Sequence, residues 1–473
     1  MSTRTRTIWT FAITAAALFM VVLDNLVVTT ALPTIQRDLG ASIEGLEWTV
    51  NAYTLSFAVL LLTGAALGDR FGRRRMFVVG LGIFTASSAA AALAPSVDAL
   101  IAARALQGLG GAIVLPLTLT LLSDIVPTER RGLALGAWSA ISGLGIALGP
   151  LVGGAVVEGV SWQWIFWINV PIGLAVMPLA AARLRESRGP DRSLDLVGLG
   201  LISTGLLGIV WGLVRGNALG WTDPQILGAL GAGTALTAAF VAWELRAPAP
   251  MLPMRFFARR AFAAANAASL LMYFGMFGSI FLLTQYLQTV HGYSPLTAGL
   301  ATLPWTAMPM LVAPIAGAFS DRIGGRPLMA AGMALQAGAL AWMAFITTAH
   351  MQYVELVVPF VMAGVGMALY FAPSAHVILE SVSRSDEGKA SGAANAVREL
   401  GGVFGVAVLG SVFANQGGYG SPQHFVDGIV PAVWVGAAVV AAGALMALAI
   451  PGRRRLQQAA ADTEPVEEPA AAA

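Results

Sequence analysis

Residues Gly68–Gly80 read "GDRFGRRRMFVVG", and 252 positions further on (320 − 68) residues Ser320–Gly332 read "SDRIGGRPLMAAG". Asp69 and Asp321, Arg70 and Arg322, Gly72 and Gly324, Arg74 and Arg326, and Gly80 and Gly332 match in register. Both stretches are short basic turns between long apolar runs. A repeat this far apart implies a duplicated unit of several helices, both copies in the same orientation.

The whole chain is 57% hydrophobic and 11% charged, with a mean hydropathy of +0.75. Soluble domains carry about a quarter charged residues, so most of this chain sits in lipid. There is no cysteine, which excludes disulfides and thiol chemistry and leaves the redox compartment unread. The missing G-x-x-x-x-G-K sequence excludes ATP-driven transport by this chain alone. Arginine is used almost to the exclusion of lysine, which occurs once, at Lys389, as in a GC-rich bacterial genome.

A span needs about twenty apolar residues. Such runs lie at 9–32, 46–67, 76–94, 99–123, 133–157, 163–182, 196–214, 225–245, 261–289, 297–319, 328–348, 354–379, 390–414 and 427–450. The expected fold is all-α and integral to the membrane, with 14 transmembrane helices. An N-terminal six-helix bundle occupies 1–182, a central two-helix insertion with its linkers 183–260, and a C-terminal six-helix bundle 261–450. Residues 451–473, Ala-rich and acidic, are expected to form a disordered tail. The first run is expected to remain as a span, since its apolar core is too long for a cleaved signal and carries Asp24.

Lys and Arg in short loops mark the cytoplasmic side. With both termini inside, 23 basic residues fall in cytoplasmic segments and two, Arg37 and Arg215, in outer loops. Arg104 and Arg398 lie within spans. The expected location is the bacterial cytoplasmic membrane, crossed many times.

Four further stretches carry recognisable patterns: "LDNLVVTTALP" from Leu23, "EWTVNAYTLSFAVLLLTGAALGDRFGRRR" from Glu47, "LIAARALQGLGGA" from Leu100, and "GAWSAISGLGIALGPLVGG" from Gly136. Over essentially residues 9–450 the chain resembles a fourteen-helix member of the major facilitator superfamily, in the drug:proton antiporter branch of EmrB-like and QacA-like exporters. Arg104, Gln107, Gly108 and Gly110 are in register with the family's fourth-helix motif. Gly136, Gly145, Gly149, Pro150, Gly153 and Gly154 match its antiporter motif. Two positions depart: Ala65 replaces the first glycine of the loop motif, and Gln163 in "WQWIFWINVPIG" replaces an arginine.

A charge at the bilayer centre costs at least roughly 2.5–3.5 kcal/mol and is kept where it faces a bundle interior or a wet cavity. Asp24 is therefore expected inside the bundle, and the resemblance brings the first and fourth helices together, making Arg104 its partner. In a cavity that alternates between wet and closed, such a carboxylate carries a proton; a static ion pair that fixes packing is the other reading. Glu399, beside Arg398 in "NAVRELGGVFGVAVLG", is the second candidate for coupling, or a structural pair in a niche that Gly401, Gly402 and Gly405 allow. Glu44, Glu47 and Glu355 read as solvated rim residues.

Asp69, Arg70, Gly72, Arg73, Arg74 and Asp124 form, as the resemblance implies, a cytoplasmic gate; solvated topology arginines are the plainer reading. The Gly136–Gly154 run reads as a close-packing face, bent at Pro150. For the substrate cavity, Asn25, Tyr53, Gln107, Tyr273, Phe274, Phe277, Gln285 and Asn395 are candidates, together with Met272, Met276, Tyr286 and Gln288. Aromatic and Met side chains suit promiscuous apolar ligands, although such a stripe also describes an ordinary core or lipid face. Trp162, Trp164 and Trp167 read as an interfacial belt. His291, His350 and His424 lack the spacing of a metal site.

The resemblance implies a proton-driven exporter of amphipathic compounds working by alternating access, without enzymatic activity. No cofactor or metal is expected, only protons as the coupling ion. The expected partners are the bilayer and small amphipathic molecules, with no nucleic acid, and the chain is expected to be a monomer. The alternative is a proton-coupled uptake symporter for a small metabolite.

Overall fold

The computed structural model describes residues 3–126, 131–188, 194–382 and 387–452. Among them no strand occurs. The helices are α1 (Thr3–Leu39), α2 (Ile43–Phe71), α3 (Arg73–Ala92), α4 (Val97–Ser123), α5 (Arg131–Gly159), α6 (Trp164–Trp167), α7 (Asn169–Arg183), α8 (Leu196–Leu219) and α9 (Pro224–Glu244). They continue as α10 (Arg260–Thr289), α11 (Pro295–Thr306), α12 (Met308–Ile323), α13 (Gly325–Ile346), α14 (Val354–Glu380), α15 (Glu387–Gln416) and α16 (Pro422–Leu448).

Thirteen helical segments are long and apolar enough to span, with α6–α7 and α11–α12 each counted as one. The 29-residue α5 supplies the fourteenth. Two expected single spans, 163–182 and 297–319, are thus each built from two helices. The breaks fall at Ile168 and Ala307, just before Pro171 and Pro309. Proline has no N–H for the carbonyl four residues earlier, and its ring crowds that carbonyl, so the ladder breaks there. The expected tail lies, from residue 453 on, outside the described residues.

Helix starts on the face opposite the basic turns are capped by serine. Ser42, Ser96, Ser294 and Ser421 accept from the N–H groups of Gly45, Ala99, Thr297 and His424 at 3.1–3.3 Å. Each satisfies one of the donors that a helix start leaves unpaired. The repeated basic turns share a geometry. Gly72 and Gly324 have φ of +111° and +84°, and each donates its N–H back to residue 68 or 320 at 3.0 and 2.9 Å. Only glycine adopts such a φ without strain, which explains its presence in both copies.

In one half α4 packs against α2 and α3, and α1 against α5; in the other, α10 packs against α15 and α16, and α13 against α14 and α16. The halves meet where α2 lies on α15 and α5 on α11, with α1 also touching α10. The central pair packs together, and α8 lies on α2 and α15 beside that seam.

At Gly72 an added Cβ would also lie 2.7 Å from the Glu186 carboxyl. Gly72→Ala is expected to destabilise the fold by roughly 1–2 kcal/mol, read as a lower Tm in detergent; an unchanged Tm would show that the turn relaxes freely.

Candidate functional site

Asp24 lies midway along α1 and is 1% exposed, as is Arg104 of α4. The guanidinium Nη1 sits 2.5 Å from Asp24 Oδ2. The same nitrogen donates to Gln107 Oε1 at 2.7 Å, and Arg104 Nε donates to the Thr49 carbonyl of α2 at 3.3 Å. Arg104 and Gln107 are three residues apart, a spacing that puts them on one helix face. Asp24 Oδ1 accepts from Gln107 Nε2 at 2.8 Å and from Asn169 Nδ2, at the start of α7, at 2.6 Å. Both amides also donate to Ser88 Oγ of α3, at 2.7 and 3.3 Å. The Tyr53 ring lies 4.2 Å from the guanidinium carbon and the Phe166 ring 5.6 Å, both within cation–π reach. Both carboxylate oxygens are thus engaged. A buried ion pair is tolerated when its remaining hydrogen-bonding capacity is met in this way.

One residue along α1 the environment changes. Successive helical residues point in different directions, and Asn25 faces the other half, beside the Glu399 carboxylate of α15. Glu399 Oε2 and Arg398 Nε have no hydrogen-bond partner. Arg398 turns away from Glu399 toward Asn395 Oδ1 and Ser374 Oγ of α14, both at 3.4 Å, and its guanidinium carbon lies 5.9 Å from the Tyr273 ring. Tyr273 stacks on Phe277 and on Phe371 at 5.9 and 5.6 Å. Asn25, Tyr273, Phe277, Phe371, Asn395, Arg398 and Glu399 are all half-buried. They combine one acid, one base, two amides and an aromatic stack in the zone between the halves.

The remaining cavity candidates lie elsewhere. Tyr53 and Gln107 belong to the Asp24 cage, with the Tyr53 hydroxyl on the Val21 carbonyl at 3.3 Å. Phe274 is buried against α15, where its carbonyl leaves no room for a side chain on Gly405. Gln285 is fully buried, donating to the Phe281 carbonyl at 2.7 Å and accepting from the Tyr419 hydroxyl.

Helix α5 has two packing faces. Gly145, Gly149 and Gly153 recur every four residues and lie on Val22, Leu26 and Val27 of α1, where an added Cβ would come within 2.6–2.9 Å. Gly154 and Pro150 face the other half. A Cβ on Gly154 would collide with the Pro295 carbonyl, and one on Gly299 with the Pro150 carbonyl. Gly136 lies in the helix, in a stretch whose surroundings are not among those described. At the same face Glu158 Oε2 accepts from Leu296 N–H at 3.1 Å, and Gln288 Nε2 donates to the Thr30 carbonyl at 2.9 Å. The halves are therefore closed together on the face opposite the arginine-rich one.

On the arginine-rich face Arg73 is the hub. Its Nε meets Asp69 Oδ1 at 2.9 Å and its Nη1 both Asp124 oxygens at 2.8 Å. Ser187 Oγ also donates to Asp124, at 2.7 Å. Arg74 pairs with Glu186 at 3.5 Å, and Arg70 lies over the Phe71 ring. These contacts join α2, α3, α4 and the segment after α7, all in one half. A cavity of about 340 Å³ opens beside them, lined also by Arg6, Arg185 and Arg188, and separate from Asp24 and Glu399.

The family model of the Major Facilitator Superfamily matches residues 14–258 and 265–472. The chain belongs to that superfamily. It is similar to the tetracenomycin C resistance and export protein of Streptomyces glaucescens, 37% identical over 423 residues, covering 89% of this chain and 78% of that one. It is also similar to the multidrug resistance protein Stp of Mycobacterium tuberculosis, 36% identical over 407 residues, or 86% and 75% of the two chains. Among solved structures a peptide transporter, POT, in complex with sulfate superposes with a TM-score of 0.68 at 16% identity, over 96% of this chain and 94% of that one. That likeness speaks for the fold.

In this facilitator several site residues escaped the sequence. Asn169 and Ser88 complete the Asp24 cage. The available signal was the lone amide in "WINVPIG", just before a helix-breaking proline. Glu186 and Ser187 were hidden in a loop. Glu47, expected at a solvated rim, is 1% exposed, because α15 packs over it at Gly410. Glu355 is exposed, and Glu44 is half-buried beside Arg215 at 3.8 Å.

Removing one partner of a buried pair strands the other charge, at a cost of about 3–5 kcal/mol. Arg104→Ala is therefore expected to lower the Tm sharply, and the double variant Asp24→Asn/Arg104→Ala to recover part of that loss. Thermal melts in detergent test this; a double variant worse than the single would mean that packing, not charge, dominates the cage.

Proposed function

We propose that this facilitator is a proton-coupled exporter of amphipathic organic compounds, antibiotics among them, in the bacterial cytoplasmic membrane. Its arginine-rich face and both termini lie in the cytoplasm, following the distribution of basic loops. The reading is supported by its relatives, named for resistance and export. The observation that carries it is the buried Asp24–Arg104 pair at 2.5 Å on the helix that also faces the other half. Intramembrane acids of this kind mark proton relays.

Protonation of Asp24 removes the charge that holds Arg104 and weakens the bonds from Gln107 and Asn169. Helix α1 is then free to shift against α4, and it carries Asn25, which faces Glu399, with it. Glu399 is the second protonation site, and Arg398 balances its charge. A substrate lies between the halves against Tyr273, Phe277, Phe371 and Asn395. The stacked rings take its apolar part and the amides its polar groups. The α5–α11 and α1–α10 contacts open when the site turns outward, while the Arg73 network keeps its half rigid through the rocking. The chain acts as a monomer and needs no cofactor or metal.

One charge moved across 100 mV is worth about 2.3 kcal/mol, whereas tenfold accumulation needs about 1.4 kcal/mol. One proton per cycle therefore suffices for resistance when the exchange moves net charge.

In proteoliposomes, efflux of a fluorescent dye is expected to follow an imposed pH gradient. Asp24→Asn is expected to reduce it at least tenfold while dye binding to the purified protein persists. Efflux that ignores the pH gradient but requires ATP or sodium would sink the reading.

A further inference from the structure

The seam between the halves holds a buried acid that the proposed cycle does not use. Glu47, in the second turn of α2, is 1% exposed. Its carboxyl fills the space that a side chain on Gly410 of α15 would need. Its Oε2 has no hydrogen-bond partner, and neither atom of the Asn51 amide has one. Asn51 is fully buried one turn further along α2. The two orphans lie on the stripe that α2 turns to α15, between the Glu47–Gly410 contact and Leu55, which packs with Val403 and Ala407.

The charged and titratable neighbours offer Glu47 no counterion. Glu44, of like sign, is one turn earlier on α2, and Arg215 of α8 is engaged with Glu44 at 3.8 Å. Asn217 of α8 donates to Ser411 of α15. Tyr419, in the loop between α15 and α16, acts on Glu47 electrostatically but gives its hydroxyl hydrogen to Gln285. Among the described residues no cationic side chain forms an ion pair with Glu47. A carboxylate this deeply buried without a cation is costly, and buried groups of this type escape that cost by becoming neutral.

We propose that Glu47 is a further proton-binding site of this exporter, besides Asp24 and Glu399, at the α2–α15 seam, with Asn51 as its polar neighbour. The inference rests on the proton-driven cycle proposed above. Closing the seam adds a proton from water to the Glu47 carboxylate, forming the O–H bond of the acid. Parting of α2 from α15 wets the site, and that bond breaks with return of the proton to water. Closure of the face opposite the arginine-rich one is thereby tied to proton uptake at a residue separate from Asp24.

The full chain in lipid nanodiscs, titrated while its infrared carboxylic-acid carbonyl band is recorded, tests this. At neutral pH the wild type is expected to show a protonated-carboxyl band that is retained in Asp24→Asn, lost in Glu47→Gln and shifted in Glu47→Asp. Where the amide variant fails to fold, the aspartate variant carries the test. Wild-type and Glu47→Gln spectra that coincide in this region, with both proteins folded, overturn the proposal. In proteoliposomes Glu47→Gln is expected to flatten the pH dependence of dye efflux without loss of dye binding; an unchanged profile also overturns it. The infrared band does not depend on transport, so failure of the Asp24 reading and failure of this one are told apart.

Discussion

Asp24 and Arg104 stand 2.5 Å apart with almost no exposure, inside a bundle that is itself embedded in lipid. An ion pair in that setting survives only if the protein replaces the water that both groups have lost. The surrounding residues do so from α4 itself and from three other helices. Gln107 shares a helix face with Arg104, and Ser88 bridges the two amides from α3. Thr49 contributes a backbone carbonyl from α2. Asn169 is available because the sixth span breaks just before it, a break that follows from Pro171 three residues into α7. Without the pair, this convergence of polar groups on one point of α1 would have no partner to satisfy.

The pair also explains the placing of the glycines on α5. Helix α1 is held against α4 by the Asp24 cage and against α5 by Gly145, Gly149 and Gly153, while the neighbouring face of α5, at Pro150 and Gly154, lies backbone to backbone on α11. Helix α1 itself also touches α10 of the other half, so a disturbance at Asp24 lies close to the interface. Bulky side chains at those positions would hold the helices apart and loosen that chain of contacts. The charge network at Arg73 acts differently: its members belong to one half, so it stiffens that half and does not bridge the two. Rigid-body rotation of domains about an interface is one recurrent form of conformational switching.

Much of this was legible before the fold was known. The helical spans follow from hydropathy, because lipid requires every backbone group to be satisfied within its own helix. The repeat at Gly72 and Gly324 was visible as letters and returns as two turns of positive φ. Asp24 and Arg104 stood out because charges are rare in spans. Glu47 misled for a physical reason: position near a span end marks depth in the membrane and says nothing about what packs over the side chain. Asn169 and Ser88 were overlooked because a single neutral polar residue in an apolar run is common and costs little to place.

The sequence alone thus determined the depth of each residue, the number of helical passes, the superfamily and the presence of acids that lipid would not tolerate. The direction in which each helix turns its faces was left to the tertiary structure. Soluble helices advertise their inward face by an apolar stripe, whereas in these helices the lipid side and the packed side are both apolar and the stripe disappears. Rotation about the helix axis is then settled by close packing at glycines and by the few polar side chains that must find one another. That is why adjacent residues on α1, Asp24 and Asn25, end in different halves of the machinery.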